Sequence, residues 1–284
     1  MTTYAVTGAS GQFGRLAVES LIARGIAPTN IVAVARSTDK IADFAERGVV
    51  VRFGDYSDEA SLDVALAGVD HLLLVSGNEF GKRAQQHAAV IAAAERAAVT
   101  HLAYTSILGA PTTENPLAGE HVATEASLAA STIPTTLLRN GWYTENYTAQ
   151  IETYKASGAI LGATANTGIS AAARADYADA AAVALIDAKP GSVYDLGGPA
   201  FTLTDLAAAI SEATGTAVAY HDVSVEELAS ALEGFGMDSG VASMWAAVDE
   251  SIAKGELFTD SGHLEALIGR QATALATVVA VAVA

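Results

Sequence analysis

Three glycines, Gly8, Gly11 and Gly14, stand in the stretch VTGASGQFGR, after an apolar run and before a stretch of helical period. Glycines at that spacing allow a tight turn and a close backbone approach. A helix starting there offers unpaired N–H groups and a positive dipole end to a pyrophosphate. The chemistry this implies is dinucleotide binding, with Gly8, Ala9, Ser10, Gly11, Gln12, Phe13 and Gly14 as the cradle. The next apolar run ends in Arg36, at about the distance of twenty residues where an NAD site carries an acid for the ribose 2′-hydroxyl. A guanidinium there is a bidentate partner for a 2′-phosphate, so NADP(H) is preferred over NAD(H). The competing reading is a solvated arginine, with Asp39 as the ribose ligand. Asp55, in FGDYSD, either hydrogen-bonds the adenine amino group or makes a turn in which Ser57 caps the next helix. Ser76 and Gly77 close the fourth apolar run, where small residues let the backbone lie near the nicotinamide ribose.

The second chemical cluster is LLRNGWYTENY, residues 137–147, at the end of the sixth apolar run. Asn140 can supply an amide and Gly141 a close backbone approach to the nicotinamide end. Trp142, Tyr143, Asn146 and Tyr147 offer ring faces and an amide to a flat substrate. Their alternative role is to hinge a second lobe onto the first.

A proton donor of the usual kind is missing. Reductases of the standard short-chain type pair a tyrosine with a lysine four residues later, so that the tyrosine protonates a developing alkoxide. None of the nine tyrosines here has lysine at that spacing, and no lysine lies between Lys82 and Lys155. His121 and Glu125 occupy the corresponding helix at the same spacing, either as a weaker acid/base pair or as part of a solvated helix face. The catalytic candidates are therefore His121 and Tyr143. The chemistry left is hydride transfer to an acceptor that stabilises its own product, a quinone or a cationic dye, which needs positioning more than an acid. The six histidines show no metal-ligand spacing supported by a carboxylate, so no metal is assigned.

These residues need a scaffold, and the hydrophobic pattern supplies one. Apolar runs at 4–8, 31–36, 49–53, 71–76, 101–106 and 135–139 alternate with helical stretches at 12–25, 57–67, 81–98 and 119–131. Strands apolar throughout, in strict alternation with helices, mean a parallel sheet covered on both faces. The expected fold is α/β, a doubly wound parallel sheet of Rossmann type over residues 1–150, with a smaller, mainly helical substrate lobe over 151–284. Part of that second half is free to return to the main sheet. Thr202 with Asp205 and Ser224 with Glu227 have capping-box spacing. The later glycines punctuate short elements rather than a second sheet, and the apolar last segment reads as a buried helix or strand. Arg174 and Asp176 can reach the cleft between the lobes, with Asp176 alternatively a helix N-terminal acid. Phe235, Met237 and Trp245 form either a lid or core packing.

Composition narrows the partners. Fifteen basic against 32 acidic side chains give a net charge of −17, which repels phosphate backbones and anionic lipid, so nucleic acid and membrane insertion are excluded. There is no cysteine, which removes disulfides and thiol nucleophiles. With no signal-type N-terminal run, a cytoplasmic location is expected. The expected partner is a small aromatic, quinone-like substrate; a homodimer is left open.

With the glycine loop, Arg36, YTS at 104–106, HVATE at 121–125, LLRNGWYTENY, RADYADAAA at 174–182 and LFTDSGHLEALIG at 257–269, the chain resembles the NmrA-like atypical short-chain dehydrogenases/reductases. Within them it is most similar to the type 2 NAD(P)H:quinone oxidoreductases, with the triphenylmethane dye reductases as near relatives. The resemblance implies NADPH held by the glycine loop and Arg36, with backbone near Ser76, Asn140 and Gly141 at the nicotinamide end. It further implies two-electron reduction of a quinone by direct hydride transfer without flavin. The family also includes redox sensors that bind NADP(H) and reduce nothing, and reductases of dyes or of carbonyl or imine compounds are the other alternative. Ala126 departs from the lysine that quinone-reductase relatives carry after the TE pair, and the last residues are less polar than in the family.

Overall fold

The apolar runs of the first half become parallel strands, and the stretches of helical period between them become helices. The computed structural model describes residues 1–187 and 189–284. The first half runs β1 (Tyr4–Val6), α1 (Gln12–Ala23), β2 (Ile31–Ala35), α2 (Ala42–Glu46), β3 (Val50–Phe53), α3 (Glu59–Leu66), β4 (His71–Leu74), α4 (Arg83–Arg96), β5 (His101–Ile107), α5 (Gly119–Ala130) and β6 (Thr135–Asn140). The second half continues with α6 (Glu145–Thr148), α7 (Ile151–Ser157), β7 (Ala159–Gly162), α8 (Arg174–Asp187) and β8 (Val193–Leu196). It ends with α9 (Leu203–Thr214), β9 (Ala219–Asp222), α10 (Val225–Gly234), α11 (Ser239–Ala253), α12 (His263–Ile268) and α13 (Leu275–Val283).

The main sheet has the order β3-β2-β1-β4-β5-β6-β8, with every neighbouring pair parallel. The winding reverses between β1 and β4, which opens a crevice beyond the carboxyl ends of those strands, where ligands of open α/β sheets bind. Both faces are covered. Val6, Ala33 and Leu73 point into a core shared with Leu21 of α1 and Leu185 of α8. Their neighbours Ala5, Val32 and Leu72 point the other way, against Leu62 of α3 and Val90 of α4. Alternation along the strand thus feeds two cores, which is why these strands read as uninterrupted apolar runs. Ala178, Ala180, Ala181, Ala182 and Ala184 of α8 are all fully buried, and α8 packs along α1.

The chain beyond residue 150 divides its work. α8, β8 and α12 return to the main sheet, with Leu137, Leu138, Arg139 and Asn140 of β6 in register with Val193–Leu196. The remaining elements build a lobe with its own core, in which Ile151, Ile160, Leu206, Ile210 and Ile252 pack together. Contrary to the expectation of short elements without a second sheet, β7 and β9 pair as a two-stranded parallel sheet. Its strands are four residues each, and β9 (AYHD) is largely exposed, so no apolar alternation marks them. Both capping boxes form, on Thr202–Asp205 and on Ser224–Glu227. The apolar last segment is a helix, buried through Val278 and Val279 and packed on α9. Among the described residues no helix is long and apolar enough to cross a membrane.

Candidate active site

The glycine loop is shaped by its own backbone. Gly8 has φ of 62°, in the left-handed region, and a Cβ on Gly14 would lie 2.4 Å from the Gly8 carbonyl oxygen. Only glycine lets the first turn of α1 settle on the tip of β1. Gly11 is the N-cap of α1, with no side-chain cap and no acid in the first turn. Among the described residues the N–H groups of Gln12 and Phe13 find no hydrogen-bond acceptor. Free amides and an uncompensated dipole end are what a pyrophosphate needs, so the loop fits a dinucleotide.

At the adenosine end, Arg36 follows β2 and is 58% exposed. Its Nη1 donates to Glu79 Oε1 at 2.7 Å, and Lys82 lies 3.6 Å from the same carboxylate. The hydrogen bond from Arg36 holds the Glu79 carboxyl below its ordinary range. Asp55 makes a turn: its Oδ1 accepts from the Ser57 N–H at 2.9 Å, and its own N–H donates to Ser61 Oγ. The helix cap expected of Ser57 falls instead to Asp58, which accepts from the N–H groups of Ala60 and Ser61. A loop one residue longer than anticipated moves the cap one residue on.

The tips of β1, β4 and β5 are laced together by residues that sequence reasoning passed over. Tyr56 donates to Val75 O at 2.8 Å and meets Thr7 Oγ1, which also receives the Val75 N–H. Ser76 N donates to Thr105 Oγ1 at 2.8 Å, and Gly77 N donates to His87 Nε2 at 3.0 Å. Burial pushes His87 down to about 3, so its ring is neutral and Nε2 is free to accept. No motif marks Tyr56 or His87, and Thr105 belongs to the YTS stretch that only the resemblance singled out; the fold brings all three under the loop.

Asn140, at the end of β6, is buried, and among the described residues neither polar atom of its carboxamide has a hydrogen-bond partner. Such a group loses about 1–3 kcal/mol unless something satisfies it, which suits a residue awaiting a ligand amide. Gly141 is required by the packing around it. A Cβ there would lie 2.8 Å from Ser170 O and 2.9 Å from the Tyr177 hydroxyl, while its N–H donates to Leu196 O at 2.7 Å.

From Gly141 onward the aromatic cluster divides between two surfaces. Trp142, Asn146 and Tyr147 line a cleft of about 1200 Å³, together with Gln12, Arg15 and Arg174 from the sheet side and Phe235, Met237 and Trp245 from the lobe. Trp142 and Trp245 meet edge to face across it, with ring centroids 6.2 Å apart. Phe235 is 75% exposed at its mouth. Tyr143 stands behind this wall, between Phe13 (6.1 Å) and Tyr177 (5.5 Å), with the Arg174 guanidinium 4.8 Å above its ring. Burial pushes its hydroxyl up to about 12, opposed by Arg174. The backbone of 142–144 is also stitched to Ala172, through Ala172 N to Trp142 O and Thr144 N to Ala172 O. Asp176 accepts from Arg270 and Thr273 and is fully buried, so it anchors the C-terminal segment rather than reaching the cleft.

His121 does not lie on a solvated face. It is buried, its Nδ1 bonds the Tyr104 hydroxyl at 2.7 Å, and desolvation pushes it down to about 3. Glu125, four residues on, is committed to Arg139 at 2.7 Å and to Ser106 Oγ. The pair never meets because each residue has a nearer partner on the sheet. Two acids of the cleft carry no motif, Glu152, which pairs with Lys155, and Asp249, which its position four residues after Trp245 in an apolar helix could have flagged.

Residues 8–189 match the NAD(P)H-binding family. The chain belongs to that family. Quinone oxidoreductase 2 of Escherichia coli is 46% identical over 274 residues, which are 96% of each chain. The crystal structure of the Escherichia coli NADPH-dependent quinone oxidoreductase with NADPH superposes with a TM-score of 0.95 at 45% identity, over 99% of this chain and 100% of that one. Triphenylmethane reductase of a Citrobacter species follows at a TM-score of 0.91 and 35% identity, over 99% of both chains. The resemblance to NmrA-like reductases and the doubly wound fold are both shown by these likenesses.

Proposed function

We propose that this protein is an NADPH-dependent reductase of quinones and similar flat aromatic acceptors. One observation carries the reading: the free end of α1, beside the glycine loop, opens into the same cleft that Trp142, Tyr147 and Trp245 wall with aromatic rings. Relatives over nearly the full chain are named for NADPH-dependent quinone reduction.

When bound, NADPH supplies the hydride. The chain's contribution is position. The N–H groups of Gln12 and Phe13 hold the pyrophosphate, and Arg36 takes the 2′-phosphate by exchanging its Glu79 partner. Asn140 orients the nicotinamide carboxamide with its two unsatisfied atoms. Ser76 and Gly77, fixed by Thr105 and His87, would back the nicotinamide ribose. Trp142, Tyr147 and Trp245 hold the acceptor flat and exclude water. Tyr143 backs the loop through Phe13 rather than touching the acceptor, and His121 takes no part as an acid. A quinone spreads the charge it gains over its own ring, so holding the reactants in attack geometry suffices. A cytoplasmic setting accords with the cysteine-free, acidic chain.

The test is NADPH oxidation followed at 340 nm against a panel of quinones, cationic dyes and ketones. Turnover of quinones with stoichiometric hydroquinone is expected. NADPH binding without turnover of any acceptor would replace this reading with a redox sensor.

A further inference from the structure

The cleft contains a carboxyl group that neither cofactor binding nor stacking uses. Trp245, Val248, Asp249 and Ile252 of α11 all line the cavity, the spacing of one helix face, with Asp249 one turn beyond Trp245. Asp249 Oδ2 accepts the Ala163 N–H at 2.9 Å, past the end of β7. Its other oxygen accepts no hydrogen bond among the described residues and is not sealed from solvent. One oxygen is therefore fixed by the fold and the other left for whatever fills the cleft.

Among the described residues no cation pairs with Asp249. Tyr147 of α6 and Tyr154 of α7 sense its charge, Asp222 of β9 adds a like charge, and Tyr220 of β9 is bonded to Asp222. α10 faces the cavity with Leu228, Ala231 and Leu232, which carry no charge. The cations that line the cleft are engaged elsewhere, Arg15 with Asp43 and Arg174 over the Tyr143 ring. Glu145 is held by the Arg174 N–H and Glu152 by Lys155. A carboxylate partly removed from water without a cation is costly unless a ligand supplies one or a proton does.

We propose that Asp249 reads the charge of the acceptor: as a carboxylate it pairs with a flat delocalised cation, and as a carboxylic acid it donates a hydrogen bond to the oxygen of a neutral quinone. Aromatic faces beside a carboxylate are the chemistry of cation recognition, and a protonated acid among apolar side chains is that of carbonyl recognition. Both forms are accessible near neutrality, because burial pushes Asp249 up to about 6, with Asp222 adding to the rise and the Ala163 N–H opposing it. The proposal rests on the reading of the cleft as an acceptor site.

The experiment measures KM for 1,4-naphthoquinone and equilibrium binding of crystal violet, by its visible absorbance, to the NADP-bound enzyme between pH 5.5 and 7.5. The quinone KM should rise about threefold or more across that range while crystal violet binds more tightly, the two slopes having opposite sign because one ligand selects each protonation state. Asp249→Asn retains an oxygen for the Ala163 amide and an N–H for the quinone. It should flatten both slopes, hold the quinone KM near its low-pH value and weaken crystal violet about tenfold. Persistence of both slopes in Asp249→Asn, or failure of crystal violet to bind the unaltered enzyme, overturns the proposal. Binding of crystal violet with the expected slope but no NADPH oxidation with any acceptor overturns the reductase reading and leaves Asp249 as the charge-reading residue.

Discussion

Arg36 and Glu79 are joined at 2.7 Å across the adenosine end of the glycine loop. The pair is exposed, so it is worth little to stability, yet it occupies the guanidinium that a 2′-phosphate would take. Arg36→Ala should cost roughly 1.5–3 kcal/mol of NADPH binding, the range for hydrogen bonds to charged groups, and leave NADH nearly unaffected. Glu79→Gln should tighten NADPH by a few-fold, since the phosphate no longer competes with a carboxylate. Fluorescence titration with both nucleotides checks this, and equal losses for NADPH and NADH in Arg36→Ala would remove the assignment.

Trp142 and Tyr143 are adjacent in sequence but face different surfaces. Trp142→Ala should raise the acceptor KM about tenfold, through loss of ring area and of the edge-to-face contact with Trp245 worth roughly 0.5–1.5 kcal/mol, with NADPH binding preserved. Tyr143→Ala removes the support behind Phe13 and should weaken NADPH instead. Parallel measurement of acceptor KM and NADPH affinity in the two variants separates these roles; matching losses in both would make the whole cluster a hinge.

Gly14→Ala places a Cβ 2.4 Å from the Gly8 carbonyl oxygen. Backbone must move to admit it, a cost of about 1–3 kcal/mol by analogy with overpacked cores, and the move opens the loop that cradles pyrophosphate. Thermal unfolding and NADPH titration should both register the change. Full retention of cofactor affinity would mean that the loop tolerates a shift the geometry disallows.

His87 and His121 are held neutral, each pushed from 6.5 to about 3, first by desolvation and then by the charge of Arg83. In the unfolded chain each titrates near 6.5. Folding therefore excludes protons, and the stability these residues confer is complete above pH 6.5 and is lost as pH falls toward 3. Between pH 7 and 5 the loss is about 2 kcal/mol per histidine. Asp249, raised to about 6, acts in the opposite sense and partly masks it. Urea unfolding at the two pH values should show His121→Gln losing less stability on acidification than the unaltered protein; an identical loss would place the charged form of His121 in the folded state.

The sequence determined six of the seven strands of the main sheet and the glycine loop at its tip. β1 to β6 were legible because parallel strands covered on both faces must be apolar throughout, and the glycine spacing was legible because a backbone-to-backbone approach admits no other residue. The local signals of Thr202 and Ser224 were equally complete, since a capping box is closed within four residues.

The acceptor side was decided only by the tertiary structure. Trp142 meets Trp245 across 103 positions of sequence, and Asp249 becomes a cleft acid only because β7 brings the Ala163 N–H to it. The same holds for the exclusions. His121 and Glu125 have the spacing of an acid/base pair, but Tyr104 and Arg139 reach them first. Tyr143 has the composition of a substrate contact, and its half-buried ring packs between Phe13 and Tyr177 rather than lining the cleft with Trp142. Residue type and spacing fix what a side chain can do within its own turn of helix or strand. Which partner it finds is set by packing between distant elements, and that competition is settled by geometry no local pattern records.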